Sequence, residues 1–357
     1  MFKPVNLCIA FVLLFSLSIN AQIYRGLSEV MFLLTQPNAR AEALGRGNAA
    51  LTGSPFMNTY NPAASSFSGA VTLEASHLEY PFLFGWGGSD KSYETYGIGV
   101  NMEQFGAFSF NYLHLSFDPH MIGYGDWLSI ASTSIFMMNY SYPVLRDFSV
   151  GVNANYYEEN KTHDRGTGFK GWYYDLGLMK KFTMKYETSE QNLYLGLSFL
   201  NLLNSKVSQT MKIKIYGRFP STMRLAAAYE FLPVNKISDF RTIKALITAE
   251  YRDLLNSRYR TQFQLGTELT FLEMFVLRGG FYTEGLFDYG YSEDKSRLNQ
   301  LTYGLGIVAP VKKLSGVNIP LNIKFDYTSL PFPEYHTDDY RHEYNCPIYT
   351  LNLSYSI

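Results

Sequence analysis

The chain has 357 residues, a formal net charge of −1 and a pI near 6.6, so it lacks the basic surface that nucleic-acid binding requires. Hydrophobic residues make up 46% of the chain and charged residues only 17%, which is poor in charge for a soluble protein. Composition therefore excludes a nucleic-acid partner and argues against an ordinary soluble domain.

Residues 1–21 have the pattern of a signal peptide. Lys3 supplies the positive charge, Leu7–Ile19 a short apolar core, and cleavage would leave Gln22 as the mature N-terminus. The alternative is an anchor helix, which is disfavoured because the apolar stretch is shorter than the roughly 18 residues that span a membrane. The sequence predicts an exported protein of a Gram-negative bacterium.

Residues 22–70 form a second region that is rich in small side chains. The stretch "ARAEALGRGNAAL" carries Arg40 and Arg46 among alanines and glycines, and Asn61-Pro62 indicates a turn before the first strand. We expect this region to fold into the interior of a barrel as a hatch with short helical pieces. A disordered periplasmic tail is the alternative.

Strict alternation of apolar and polar residues dominates residues 71–357, as in "FSVGVNANY" from Phe148. About fourteen such runs are present, many near ten residues long, and alternately short and long connections separate them. The pattern predicts an all-β, closed antiparallel transmembrane β-barrel of about 14 strands. The last run, Tyr349–Ile357, is expected to pair with the first strand and close the barrel.

The polar face of these strands carries charges of both signs in nearly equal number. In a membrane barrel the apolar face contacts outer-membrane lipid and the polar face lines the lumen. The sequence therefore predicts ion pairs across the lumen, and the alternative is the solvated face of a soluble sheet. The predicted lumen residues are Arg224, Glu230, Lys244, Glu250, Glu268, Arg278, Lys324 and Asp326.

Several stretches resemble the PorV/PorQ-type outer-membrane proteins, relatives of FadL-like barrels. "ARAEALGRGNAAL" followed by "YNPAA" is similar to the N-terminal motif of that family, and "FPSTMRLAAAYEF", "LTYGLGIVAP" and "NIKFDYTSLP" are similar to its strand patterns. The residues that match the hatch motif are Ala39, Arg40, Ala41, Gly45, Gly47, Asn61 and Pro62. The resemblance implies a component of the type IX secretion system that binds secretion proteins or exported cargo. FadL-like relatives imply the alternative, a channel that passes hydrophobic small molecules through the hatch and a lateral gap.

No motif for nucleophilic, phosphate-binding or metal chemistry is present. The segment "EYHTDDYRHE" holds His336 and His342 beside carboxylates, but its spacing fits no specific metal site and a solvated loop is expected. The sequence predicts no enzyme activity, cofactor or metal. A surface enzyme that uses the two histidines is the remaining alternative.

Overall fold

The computed structural model describes residues 36–79, 92–116, 130–161, 168–203, 205–209, 215–218, 221–237, 240–255, 261–285, 297–331 and 345–355. Their strands form one closed antiparallel sheet with fourteen strands around the wall, which confirms the predicted fold class. The predicted signal peptide lies outside the described residues. None of the described helices is long and apolar enough to cross a membrane.

The wall strands are 9 to 16 residues long. They are β1 (Val71–Glu79), β2 (Ser92–Asn101), β3 (Ala107–Ser116), β4 (Ile130–Leu145), β5 (Phe148–Lys161), β6 (Lys170–Lys185), β7 (Ser189–Leu200), β10 (Thr222–Pro233), β13 (Ile243–Leu254), β14 (Gln262–Phe271), β15 (Phe275–Gly285), β16 (Arg297–Pro310), β17 (Leu321–Pro331) and β18 (Asn345–Tyr355). Two short hairpins lie in connections: β8 (Lys206–Gln209) with β9 (Ile215–Arg218), and β11 (Lys236–Ile237) with β12 (Phe240–Arg241). Five short helices complete the described elements: α1 (Ala39–Ala43), α2 (Val311–Ser315), and the 3₁₀ helices Pro55–Thr59, Pro62–Phe67 and Glu103–Phe105.

The last strand closes the barrel against the first. β18 pairs with β1 from Val71↔Tyr355 to Leu78↔Ile348, and β1 pairs along its other edge with β2. Closure gives the backbone groups of both terminal strands a hydrogen-bonded neighbour, which the interior of a bilayer demands. The prediction that the alternating C-terminal run joins the first strand is therefore confirmed.

Short connections lie together at one end of the barrel. β4 and β5 are joined by Arg146 and Asp147, and β14 and β15 by Leu272–Met274. Asp147 and Leu272 have positive φ angles of 65° and 51°, as tight strand connections often require. Most connections at the opposite end are longer. We call the two ends the short-turn end and the long-loop end.

The two faces of the wall have opposite chemistry. Side chains such as Ile247, Leu265 and Leu305 point outward and remain more than half exposed, whereas Thr248, Gln264 and their neighbours in phase point inward and are buried. The apolar face therefore lies outside and the polar face encloses the lumen, as the alternation predicted. The opposite arrangement, expected of a soluble sandwich, is absent from the described strands.

Aromatic rings form a row across the outer wall. The rings of Tyr96 and Tyr112 have centroids 6.5 Å apart, those of Tyr112 and Phe136 4.9 Å, and those of Tyr156 and Trp172 5.1 Å. The five residues are direct cross-strand partners from β2 to β6. Outward aromatic rings of this kind are typical of the interfacial girdles of membrane barrels.

Candidate functional site: the filled lumen

Residues 36–70, which we call the inner segment, lie inside the barrel. Helix α1 contacts β15 to β18, the 3₁₀ helix Pro55–Thr59 contacts β1 to β3, and Pro62–Phe67 contacts strands from β2 to β6. Most of these residues are fully buried. The inner segment therefore crosses the lumen and touches most of the wall, before Ser68–Ala70 leads into β1.

Each helical piece of the inner segment begins with a side-chain cap. The capping bonds are Ala41 N to Asn38 Oδ1 (2.8 Å), Phe56 N to Ser54 Oγ (3.1 Å) and Ala63 N to Asn61 Oδ1 (3.0 Å). Pro55 and Pro62 follow two of these caps, at the position where a helix does not use the backbone N–H. These caps explain why a short helix begins after the first residue of each of the stretches "NARAEA", "SPFMNT" and "NPAASSF".

Glycines on the inward face let the backbone of the inner segment touch the wall. A Cβ on Gly280 would lie 2.1 Å from the Gly45 nitrogen, and one on Gly266 would lie 2.4 Å from the Leu44 carbonyl oxygen. Gly45 itself has a φ of +66°, which favours glycine. The same close approach recurs around the barrel at Gly151, Gly177 and Gly196, and a Cβ on Gly304 would lie 2.5 Å from the Ala43 Cβ.

Wall side chains also satisfy the carbonyl oxygens of the inner segment. Asn111 Nδ2 donates to Pro55 O at 3.0 Å, Asn153 Nδ2 to Asn58 O at 2.9 Å, and Asn139 Nδ2 to Pro62 O at 2.9 Å. Hydroxyl groups do the same elsewhere, from Thr302 to Ala43 O, Thr248 to Gly47 O and Ser198 to Tyr60 O. A buried carbonyl without such a donor would destabilise the fold.

A network of charges joins α1 to the wall. Arg40 Nε lies 2.9 Å from Glu268 Oε2, and the same oxygen lies 2.7 Å from Arg278 Nε. Arg278 Nη1 also meets Asp326 Oδ1 at 2.9 Å, and Asp326 Oδ2 meets Lys324 Nζ at 3.1 Å. Burial alone lowers the pKa of Arg40, but the Glu268 carboxylate outweighs burial and raises that pKa above its usual value. Arg40 therefore carries a fixed charge.

Two further ion pairs lie on the inward face. Arg224 Nη1 is 2.8 Å from Glu250 Oε1, and Glu250 Oε2 also accepts a bond from Ala49 N at 2.8 Å. Lys244 Nζ is 2.6 Å from Glu230 Oε1, but the Lys244 side chain is 35% exposed. The first pair thus helps to hold the inner segment, whereas the second is partly open to solvent.

All eight predicted lumen residues lie on the inward face and take part in these pairs. Of the hatch-motif residues, Ala39 and Ala41 are buried in α1, Arg40 is paired with Glu268, and Gly45 packs on the wall. Asn61 caps a 3₁₀ helix and donates to Ala49 O and Leu178 O, Pro62 follows it, and Gly47 O accepts from Thr248. The prediction that these residues serve the function implied by the motif stays a prediction.

Sequence reasoning missed the wall glycines and asparagines. Their signal was present, because residues such as Gly151, Asn153 and Asn155 occupy alternate positions on the polar phase of β5. His336 and His342 lie outside the described residues. Among the described residues, no group of three or more His, Cys, Asp or Glu side chains is placed to hold a metal.

The ladder between β16 and β17 stops before the described strands end. Its last pair toward the long-loop end is Gly304↔Thr328, although β16 continues to Arg297 and β17 to Pro331. At this point the Thr328 hydroxyl donates to the Tyr303 carbonyl instead of continuing the ladder. The two strands therefore separate in the half of the wall nearest the long-loop end.

No protein-family model matches the chain, and no curated protein sequence matches it. Among solved structures, the Pseudomonas putida toluene transporter TodX superposes with a TM-score of 0.50 at 10% identity, covering 91% of this chain and 99% of TodX. The Ralstonia pickettii toluene transporter TbuX (TM-score 0.44, 11% identity, 91% and 100% coverage) and the monoaromatic hydrocarbon channel CymD (TM-score 0.45, 11% identity, 91% and 98% coverage) are more distant in shape. The chain has a FadL-like barrel fold.

Proposed function

We propose that the protein is an outer-membrane channel for hydrophobic small molecules. The observation that carries the proposal is the lumen, which is filled by the inner segment within a barrel whose outer wall is apolar. A general porin needs a water-filled passage, whereas a plugged barrel suits a substrate that leaves water and does not require a continuous aqueous path. The similarity of the fold to TodX supports the same class of substrate.

The gap between β16 and β17 supplies a route that avoids the inner segment. Backbone groups beyond Gly304 and Thr328 are not joined in a ladder, and Leu301 and Tyr303 are strongly exposed on the outer face beside the gap. An apolar solute could pass there from the barrel to the hydrocarbon region. The wall has no such opening between β2 and β3, because Gly106 lies in the turn before β3 and the β2–β3 ladder is continuous from Tyr93↔Leu115 to Asn101↔Ala107.

Uptake measurements test this function. Cells that lack the chain and cells that express it are compared for initial uptake of labelled toluene and of a labelled hydrophilic sugar. We expect several-fold faster toluene uptake with the chain present and no change for the sugar. Equal toluene uptake in the two strains would contradict the channel.

A type IX secretion role is the second hypothesis, and it rests on the sequence resemblance alone. The solved structures that share the fold give it no support. Comparison of the secreted proteins of the same two strains separates the hypotheses, because a secretion component alters the set of exported proteins without a selective effect on toluene.

A further inference from the structure

The outer wall carries a shallow apolar groove across β18, β1, β2 and β3. Its volume is about 320 Å³. The groove exists because the outward side chain at position 75 is alanine, whereas its cross-strand partners Tyr96 and Leu351 are large. The sides of the groove toward the short-turn end are formed by Leu73, Ile98, Phe110 and Leu353. Apart from its floor, the groove is therefore lined by hydrocarbon and aromatic rings.

A row of polar side chains lies immediately above this groove, toward the long-loop end. His77, Glu94 and His114 are direct cross-strand partners on β1, β2 and β3, two residues beyond the row of Ala75, Tyr96 and Tyr112. They share the outward phase of the exposed side chains Leu73, Ile98 and Phe110. Three ionisable groups thus stand side by side on an otherwise apolar face.

The polar row is held in place by its own contacts. Glu94 Oε2 accepts a bond from the Tyr96 hydroxyl at 3.0 Å, and Glu94 Oε1 lies 3.7 Å from His77 Nδ1. His114 Nδ1 lies 3.1 Å from the Tyr112 hydroxyl oxygen and 2.9 Å from Ser134 Oγ. The tyrosines therefore connect the groove below to the charged groups above.

The height of the row places it at lipid head groups. Glu94 and His114 lie two residues from the long-loop ends of their ten-residue strands, at Ser92 and Ser116. A strand tilted by about 40° crosses an apolar band of roughly 25 Å in about ten residues, so these side chains lie near the edge of the band. An ionisable group on the lipid face would be unfavourable deeper in the band but can be solvated or paired at its edge.

We infer that this wall binds one acyl lipid, with a hydrocarbon chain in the groove and a head that donates hydrogen bonds to Glu94. The Glu94 carboxylate accepts hydrogen bonds from hydroxyl or ammonium groups, whereas with a head that lacks N–H and O–H donors it makes only an ionic attraction. The site is separate from the lumen and from the gap between β16 and β17, so the inference does not depend on the proposed function.

Photocrosslinking in lipid nanodiscs tests the site with the whole mature chain. The probes are diazirine-labelled phosphatidylethanolamine, whose head donates hydrogen bonds, and diazirine-labelled phosphatidylcholine, whose head does not. We expect phosphatidylethanolamine to label peptides of β1 to β3 at least fivefold more than those of β13 and β14. Equal labelling of the two walls would overturn the inference.

Matched variants separate the chain contact from the head contact. Ala75→Phe fills the groove and should reduce labelling of β1 to β3 at least fivefold, whereas Ala249→Phe adds the same ring to an exposed position on β13 and should leave it unchanged. Glu94→Gln should bring the two probes to within twofold of each other. Heat-modifiable migration on gels verifies that each variant is folded.

Two results would show that the groove is something else. Labelling that persists in the folded Ala75→Phe variant would show that no chain occupies the groove. A photoreactive amino acid introduced at position 75 in intact cells should crosslink to lipid. A crosslink to a protein instead would make the groove a protein-docking surface and would overturn the lipid site.

Discussion

The two halves of the inner segment are held to the wall by different chemistry. In residues 36–52 the main wall partners are three carboxylates: Glu74 accepts from Asn38 at 2.6 Å, Glu250 from Ala49 N, and Glu268 from Arg40. In residues 54–67 the corresponding partners are the amides of Asn111, Asn139 and Asn153, which donate to backbone carbonyls. The first half is thus held by carboxylates in addition to neutral hydrogen bonds, and the second by neutral hydrogen bonds.

This difference has an energetic consequence. A buried charge that loses its partner costs several kcal/mol, because the remaining charge stays desolvated. A neutral carbonyl that loses its donor costs about 1–3 kcal/mol. We therefore expect substitutions at the charged wall partners of the first half to lower the free energy of unfolding more than substitutions at the neutral partners of the second half. Steric changes at the wall glycines should have an intermediate effect.

Glu268→Gln gives the largest expected effect. It removes the carboxylate shared by Arg40 and Arg278, and the Arg278 side chain is fully buried. The free energy of unfolding should fall by about 3 kcal/mol or more. Urea unfolding of the detergent-solubilised barrel measures this change.

Glu230→Gln is the control for the charged half. It also breaks an ion pair, but Lys244 is 35% exposed and the pair does not touch the inner segment, so the change should stay below about 1 kcal/mol. Equal losses in the two variants would contradict the view that burial of the charges fixes the first half.

Gly280→Ala tests the close packing of the inner segment. The new Cβ would lie 2.1 Å from the Gly45 nitrogen, so the backbone of the inner segment must shift, at a cost of about 1–3 kcal/mol. We expect ionic conductance in planar bilayers to rise as the lumen seal loosens.

Gly279→Ala is the matched control on the neighbouring residue. Its Cβ would point outward, where the nearest atom of another strand, Thr267 Oγ1, is 3.8 Å away. This variant should keep the conductance of the unaltered chain. A rise in both variants would show that conductance does not report the position of the inner segment.

Apart from the control variants, Asn139→Ala gives the smallest expected effect, and it belongs to the neutral half. It removes the donor to Pro62 O and the bond to Asn153, for an expected loss of about 1–2 kcal/mol. Limited proteolysis should show faster cleavage near residues 62–67 than near residues 39–43. Preferential cleavage of the first half would reverse the comparison.

The sequence alone determined that the chain forms a barrel, with the apolar face of each strand outside and the polar face toward the lumen. Alternation in strands such as β14, whose residues are buried and exposed in turn from Gln262 to Phe271, is a local property of side chains two residues apart. Strand number, the short and long connections, and the joining of the last strand to the first all follow from this local pattern. The inward placement of Glu268, Arg278 and Asp326 follows from the same phase.

Only the tertiary structure decided which groups meet. Arg40 and Glu268 are 228 residues apart in the chain, and no periodicity relates them. The match of Gly280 to Gly45, the early end of the β16–β17 ladder and the groove at Ala75 likewise depend on how strands from distant parts of the chain are brought into register. Alternation fixes the face on which a residue lies, because that depends on its neighbours along one strand, but the contact it makes depends on the closed barrel.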